Sequence, residues 1–399
     1  MRSQIATYLT VLFTLFLSGN CKRNRIKTKD GLKPVEPEGL YGDYADTENG
    51  GNGCDYNPES DLFTTVYPDT NPAVIWAWSF PGVVAETVPN KVGWPTYSWM
   101  PDGHLSTLKD SKTGEWIIFY PNHESFRTIG PVPLPDQSRI LSPPHKIAGG
   151  KLNSDAYNNG GMWLMSAHLT DSKGSMIGFF HTEDQYPGAG GMAFKSVALG
   201  CSKDFGVSWV EKGRIITVGD KPVQPTWSGT GDQDVIWDWK NKRWYMGTRM
   251  SAAINYNKNG EMSGWKKWDG SEFSRNSLVD DMEPLRDYNG NVLQPGGNPS
   301  LHWNKYLELW VMVYHGWNGN IYITTASDLP FFETPRILVA RSSDTEKNWY
   351  PTLLSRAHGD RLGGRSMFLY YRLRPQGPKG GVSFFKKTEL KLCRDSDCN

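Results

Sequence analysis

Acidic and histidine side chains recur at the ends of aromatic runs in this chain. Asp102 sits in MPDGH, His123 and Glu124 in FYPNHES, and His181 and Glu183 in FFHTED. Asp232 and Asp234 follow in GTGDQDV, Arg249 in GTRM and His315 in VYHGW. Like-charged acids in a partly dry cleft raise the pKa of one of them, which leaves a general acid beside a base or nucleophile. Cleavage of a glycosidic bond needs that pair. Trp227 (QPTWSGTG) and Trp317 (YHGWNGN) lie in glycine-rich loops, where an aromatic face can stack on a sugar ring or simply pack a rim. Plainer roles compete at every position. Asp102 precedes Gly as a turn residue, Asp234 can cap a strand, and Arg249 can pair with an acid. His123, His181 and His315 could together bind a metal, structural or catalytic, whereas carboxylate-pair chemistry requires no cofactor.

What would place these residues side by side is a repeat. Five segments share one layout, a strand, a polar hairpin and an aromatic-rich strand: 104–120, 162–180, 234–249, 299–315 and 351–371. The hairpins DSKTG, DSKG, WKNK, NKYLE and HGDRLGG carry turn chemistry. Further strands follow several of them, as in KSVALG then SWVEKGRIIT, and NIYITTAS then RILVA. No stretch holds a sustained 3.6-residue apolar period, so helix is expected to be scarce. About four strands per unit, repeated five times, predicts an all-β, five-bladed β-propeller. Residues just before each first strand and just after each second strand then converge on one mouth.

The balance of 43 Lys and Arg against 42 Asp and Glu gives a net charge of +1 and no electrostatic reason to expect nucleic acid or an acidic membrane as partner. Seventeen Trp, 18 Tyr and 42 Gly suit an all-β fold and a carbohydrate partner. Residues 1–21 read as an export signal: Arg2, an apolar stretch from Ile5 to Leu17, then Ser18, Gly19 and Cys21. The LSGNC ending is similar to a bacterial lipoprotein signal, which implies a lipid anchor on Cys21, although Asn20 intervenes; simple cleavage and secretion is the alternative. Residues 22–65 read as a tether or arm and 66–399 as the propeller domain, expected to be monomeric. Setting Cys21 aside leaves Cys54, Cys201, Cys393 and Cys398, an even number suited to an oxidising compartment, either the cell surface, the periplasm or the medium.

The repeated units, GDQDVIWDWKNKRWYMGTR and GNPSLHWNKYLELWVMVYHG above all, resemble the five-bladed propeller glycoside hydrolases, the superfamily of arabinanases, xylosidases, invertases and levansucrases. The resemblance covers roughly residues 90–375. It implies three acids, from the first, third and fourth blades. Asp102 matches the first, and Asp234 or Asp232 the second. The fourth blade opens on Asn298, so Glu183 or Glu283 would have to substitute. The implied catalytic set is therefore Asp102, Glu183 and Asp234, with His123, Glu124, His181, Trp227, Asp232, Arg249, His315 and Trp317 lining the substrate. SKDFGVSW (202–209) resembles the Asp-box of sialidases, and a sialidase-like enzyme would need an arginine cluster, for which Arg127, Arg249 and Arg365 are available. A propeller that only binds carbohydrate or protein is the remaining alternative.

Overall fold

A computed structural model of the chain describes residues 101–392, except 111, 123, 136–144, 152–153, 172, 258–259, 261–262 and 376–383. The expectations for the export signal, the arm, Cys21 and His123 lie outside the described residues, and no helix occurs among those described. The strands form five antiparallel sheets, the blades. Blade 1 runs β1 (Ser106–Lys109), β2 (Trp116–Asn122), β3 (Glu124–Gly130) and β4 (His145–Ala148). Blade 2 runs β5 (Gly161–Leu169), β6 (Met176–Gln185), β7 (Ala193–Ser202) and β8 (Val210–Ile216), with the short β9 (Ser228–Gly229) parallel to β7. Blade 3 has five strands: β10 (Gln233–Asp238), β11 (Arg243–Thr248), β12 (Ser251–Asn255), β13 (Lys266–Trp268) and β14 (Phe273–Asn276). Blade 4 comprises β15 (Gly296–Asn304), β16 (Leu309–Gly316), β17 (Ile321–Ala326) and β18 (Arg336–Val339). Blade 5 has β19 (Glu346–Leu354), then the two-residue β20 (Leu362–Gly363) that pairs with β15, then β21 (Ser366–Pro375) and β22 (Phe384–Lys391).

The predicted repeat is present because alternate side chains of one strand serve two interfaces. On β10 and β11, Val235, Trp244 and Met246 pack toward blade 2 with Ile177, Phe179 and Leu199. Their neighbours Ile236 and Tyr245 pack toward blade 4 with Leu301, Trp303 and Met312. Both faces being buried, the strands read as unbroken apolar runs rather than as alternating ones. Five apolar clusters fill the five seams between blades. The last seam joins Leu105, Tyr120 and Phe126 of the first blade to Leu354, Tyr370 and Phe385 of the fifth, which closes the ring.

Large aromatics carry this packing. Trp209 is fully buried against Phe119 and Phe180, at ring separations of 6.2 and 5.4 Å. At about 25 cal/mol per Å2, a buried Trp of roughly 200 Å2 contributes on the order of 5 kcal/mol before entropy is counted. Gly178, in mid-strand, makes room for it: a Cβ there would lie 2.5 Å from the indole. The preceding SKDFGVS turn folds around Asp204, whose carboxylate accepts from Ser202 Oγ at 2.8 Å and from the Ser208 amide at 2.9 Å.

Candidate functional site

The inner strands β1, β5, β10, β15 and β19 surround the axis, and Asp234 lies at its centre with no exposed surface. One of its carboxylate oxygens accepts from Ser166 Oγ and Arg361 Nη1, both at 2.8 Å. The other accepts from the Leu301 amide at 2.7 Å, with His104 Nε2 at 3.6 Å. Burial opposes the charge, but His104, Arg361 and the Leu301 amide outweigh it and hold the carboxyl below its usual range. Arg361 comes from the HGDRLGG segment. That segment is more than a hairpin turn: it enters the axis, where Arg361 also reaches Ser106 and the Val235 carbonyl, and Asp360 accepts from Thr107. Asp234 therefore ties four blades together.

Two residues earlier, Asp232 faces the mouth. It takes a left-handed φ of 56°, a region that aspartate tolerates, and this turns it out of the β10 register. Lys195 Nζ lies 3.0 Å from one carboxylate oxygen, and His181 Nδ1 lies 3.6 Å from the other. Burial alone would raise this carboxyl; Lys195, His181 and Arg249 together hold it well below the ordinary carboxylate range. His181 accepts the Asp232 amide on Nδ1 at 2.9 Å, which leaves the Nε2 hydrogen to point at Glu183, 3.4 Å away. A hydrogen-bonded chain thus runs from Glu183 through the His181 ring to the Asp232 backbone amide. Arg249 reaches the rim on a two-residue turn in which it and Met250 both have positive φ, 41° and 58°, and it donates to the Gly229 carbonyl.

Across the mouth, Asp102 accepts from Arg372 Nη1 at 2.9 Å. Burial, and then the charges of Asp102 and Asp232, raise the Tyr350 phenol well above its ordinary value. His315 is fully buried; its Nδ1 accepts the Tyr350 amide at 3.4 Å, so its unpartnered Nε2 carries the hydrogen. Burial pushes His315 down to about 3, so it is a neutral donor. Its ring packs against Trp317 and Trp349, at 5.0 and 4.3 Å. Two large aromatics remain open to solvent here: Trp227 (53% exposed), under Lys195 Nζ at 5.3 Å, and Trp317 (39%).

The geometry brings Asp102, His181, Glu183, Trp227, Asp232, Arg249, His315 and Trp317 to the mouth. Asp234 is on the axis instead, one pleat deeper along the same strand. Glu124 forms an ion pair with Lys146, and Glu283 turns to Arg275 at 3.0 Å. The three arginines of the sialidase alternative do not converge. Arg127 donates to the Phe205 carbonyl, Arg249 lines the mouth, and Arg365 stacks on Tyr306. Among the described residues no group of three metal-ligating side chains is placed to hold an ion. Lys195, Trp349 and Arg372 escaped the sequence reading, because their partners lie far along the chain; Arg372 and Asp102 are 270 positions apart.

No family model matches the chain, and no curated protein matches it. Solved structures do. A xylan β-1,4-xylosidase from Bacillus halodurans is 13% identical, covering 74% of this chain and 53% of its own at a TM-score of 0.44. This chain thus spans about half the length of that xylosidase. An exo-1,5-α-L-arabinanase from a bovine ruminal metagenomic library is 11% identical, covering 74% and 95%, at a TM-score of 0.43. An endo-arabinanase from Bacillus licheniformis is 12% identical, covering 75% and 97%, at a TM-score of 0.42.

Proposed function

We propose that the chain is an exported glycoside hydrolase whose mouth cuts an oligo- or polysaccharide through paired carboxylates. The observation that carries this reading is the chain from Glu183 through His181 to the Asp232 amide, beside the Asp232–Lys195 ion pair. Each acid has a distinct setting. Asp232, surrounded by Lys195, His181 and Arg249, stays ionised, and its backbone amide orients the imidazole. Glu183, whose side chain meets only that imidazole among the described residues, is assigned as the acid that protonates the leaving oxygen. Asp102, held by Arg372, is the base or nucleophile on the opposite side. Trp227 and Trp317 offer faces to sugar rings. The signal-like first 21 residues and the disulfide at Cys201 support export, with Cys21 as the site of a lipid anchor or of none.

A second reading has its own observation. Asn298 stands at the entry of the fourth blade, 2% exposed with its Oδ1 unpartnered, and it cannot act as an acid. A mouth that only holds carbohydrate would look the same there. A glycan panel scored for both released sugar and binding separates the two: turnover by the wild type supports the hydrolase, and binding without turnover supports the binder.

A further inference from the structure

Strand β7 sets Lys195 directly opposite Glu183 in the β6–β7 ladder, with Gly229 of β9 opposite it on the other edge. The Lys195 carbonyl accepts from the Thr230 amide at 2.9 Å, and a Cβ on Gly229 would collide with that carbonyl. Gly229, at a φ of 78°, therefore lets the segment that carries Trp227 lie close against β7. Arg249 closes the other side with its bond of 2.7 Å to the Gly229 carbonyl. The Lys195 ammonium then reaches two groups at once. It donates to Asp232 Oδ2 at 3.0 Å and stands 5.3 Å from the centre of the Trp227 ring. That second distance is inside the roughly 6 Å at which an aromatic face attracts a cation. The lysine side chain is only 18% exposed, whereas Trp227 keeps 53% of its surface open.

Resting on the reading of this mouth as a glycosidase site, we propose that Lys195 is its positioning residue: one ammonium ties the Asp232 carboxylate to the Trp227 ring, so a sugar stacked on that ring is set against the acids. Trp227 ends an exposed run from 222 to 227, and stacking by itself leaves a sugar free to slide across the face. The ammonium fixes the platform relative to Asp232, and a restrained platform holds the sugar closer to the reacting geometry. The charged and titratable groups around Asp232 are Lys195 from β7, His181 from β6 and Arg249 after β11, while His315 and Tyr350 sense its charge from blades 4 and 5. Burial opposes the charge on Asp232, and Lys195 leads the groups that outweigh it. Loss of that cation raises the carboxyl.

Lys195→Met tests this in the full chain, since it keeps the stem and the β7 pairing, and Lys195→Arg restores a cation. On a glycan that the wild type cleaves, Lys195→Met should lower kcat about 10- to 100-fold and move the acid limb of kcat/KM to higher pH. Lys195→Arg should recover most of both. A purely structural lysine would lower the melting temperature and leave that limb in place. Trp227→Ala should lower kcat/KM less in the Lys195→Met background than in wild type, and equal effects in the two overturn the tie. An arm independent of turnover labels the protein with 5-fluorotryptophan and follows the Trp227 resonance by 19F NMR, assigned through Trp227→Phe. The resonance should move in Lys195→Met and return in Lys195→Arg, and an unmoved resonance overturns the proposal. If it moves but the wild type cuts no glycan, the tie stands and the hydrolase reading falls.

Discussion

Asp232 and Asp234 stand two residues apart at the start of one strand, and the fold gives them opposite tasks. Asp234 is sealed on the axis, with both oxygens occupied by Ser166, Arg361 and the Leu301 amide. Asp232 keeps 14% of its side chain exposed and is surrounded by groups from the rim. Both carboxyls are held below their ordinary range, so ionisation alone does not mark a functional acid. What separates them is direction. One charge is turned inward and fully matched by the protein, while the other is turned toward a space that a ligand can enter.

The largest effect should follow from breaking the axis. Arg361→Met leaves Asp234 buried without its cation, and removing one partner of such a pair typically costs about 3–5 kcal/mol. Chemical denaturation should show a loss of that size, and the double change Arg361→Met with Asp234→Asn should recover part of it. A loss below about 1 kcal/mol would remove the axis from its structural role. Asp232→Asn should cost less stability than Arg361→Met and weigh instead on catalysis, with turnover reduced at least about 100-fold.

Acid should sharpen the same contrast more gently. His302, near the axis, and His315, at the mouth, are both lowered by burial to about 3, against about 6.5 in the unfolded chain. Between those values the unfolded chain binds more protons, so stability falls as pH drops below about 6.5. The depressed Asp232 and Asp234 add stability that is fully present above about pH 4 and is lost as pH falls further toward their folded values. Melting temperature against pH should therefore decline early and then steepen. His302→Asn should flatten the early part, and an unchanged curve would contradict the assignment.

Much of the fold was legible because each blade repeats one pattern, and turn residues such as those in DSKTG and DSKG mark its hairpins. The ends of the second strands were legible too: His181 and Arg249 gather at Asp232, Glu183 lies beside His181, and His315 packs on Trp317 and Trp349. Depth was not. Residues i and i+2 on a strand share a face, so GTGDQDV offers two equivalent aspartates, and only the left-handed φ at Asp232 separates them. HGDRLGG has the composition of a turn, and nothing local shows that its arginine enters the axis. The pairing of Arg372 with Asp102 depends on closure of the ring, which brings the fifth blade beside the first.

The central claim is that Glu183, linked through His181 to Asp232, is the proton donor of a sugar-cutting mouth. The most direct measurement compares wild type and Glu183→Gln on one glycan that the wild type cleaves, with rates by released reducing sugar and binding by calorimetry. The account predicts that Glu183→Gln binds within about threefold of wild type and turns over at least about 100-fold more slowly. Equal rates in the two proteins would contradict it.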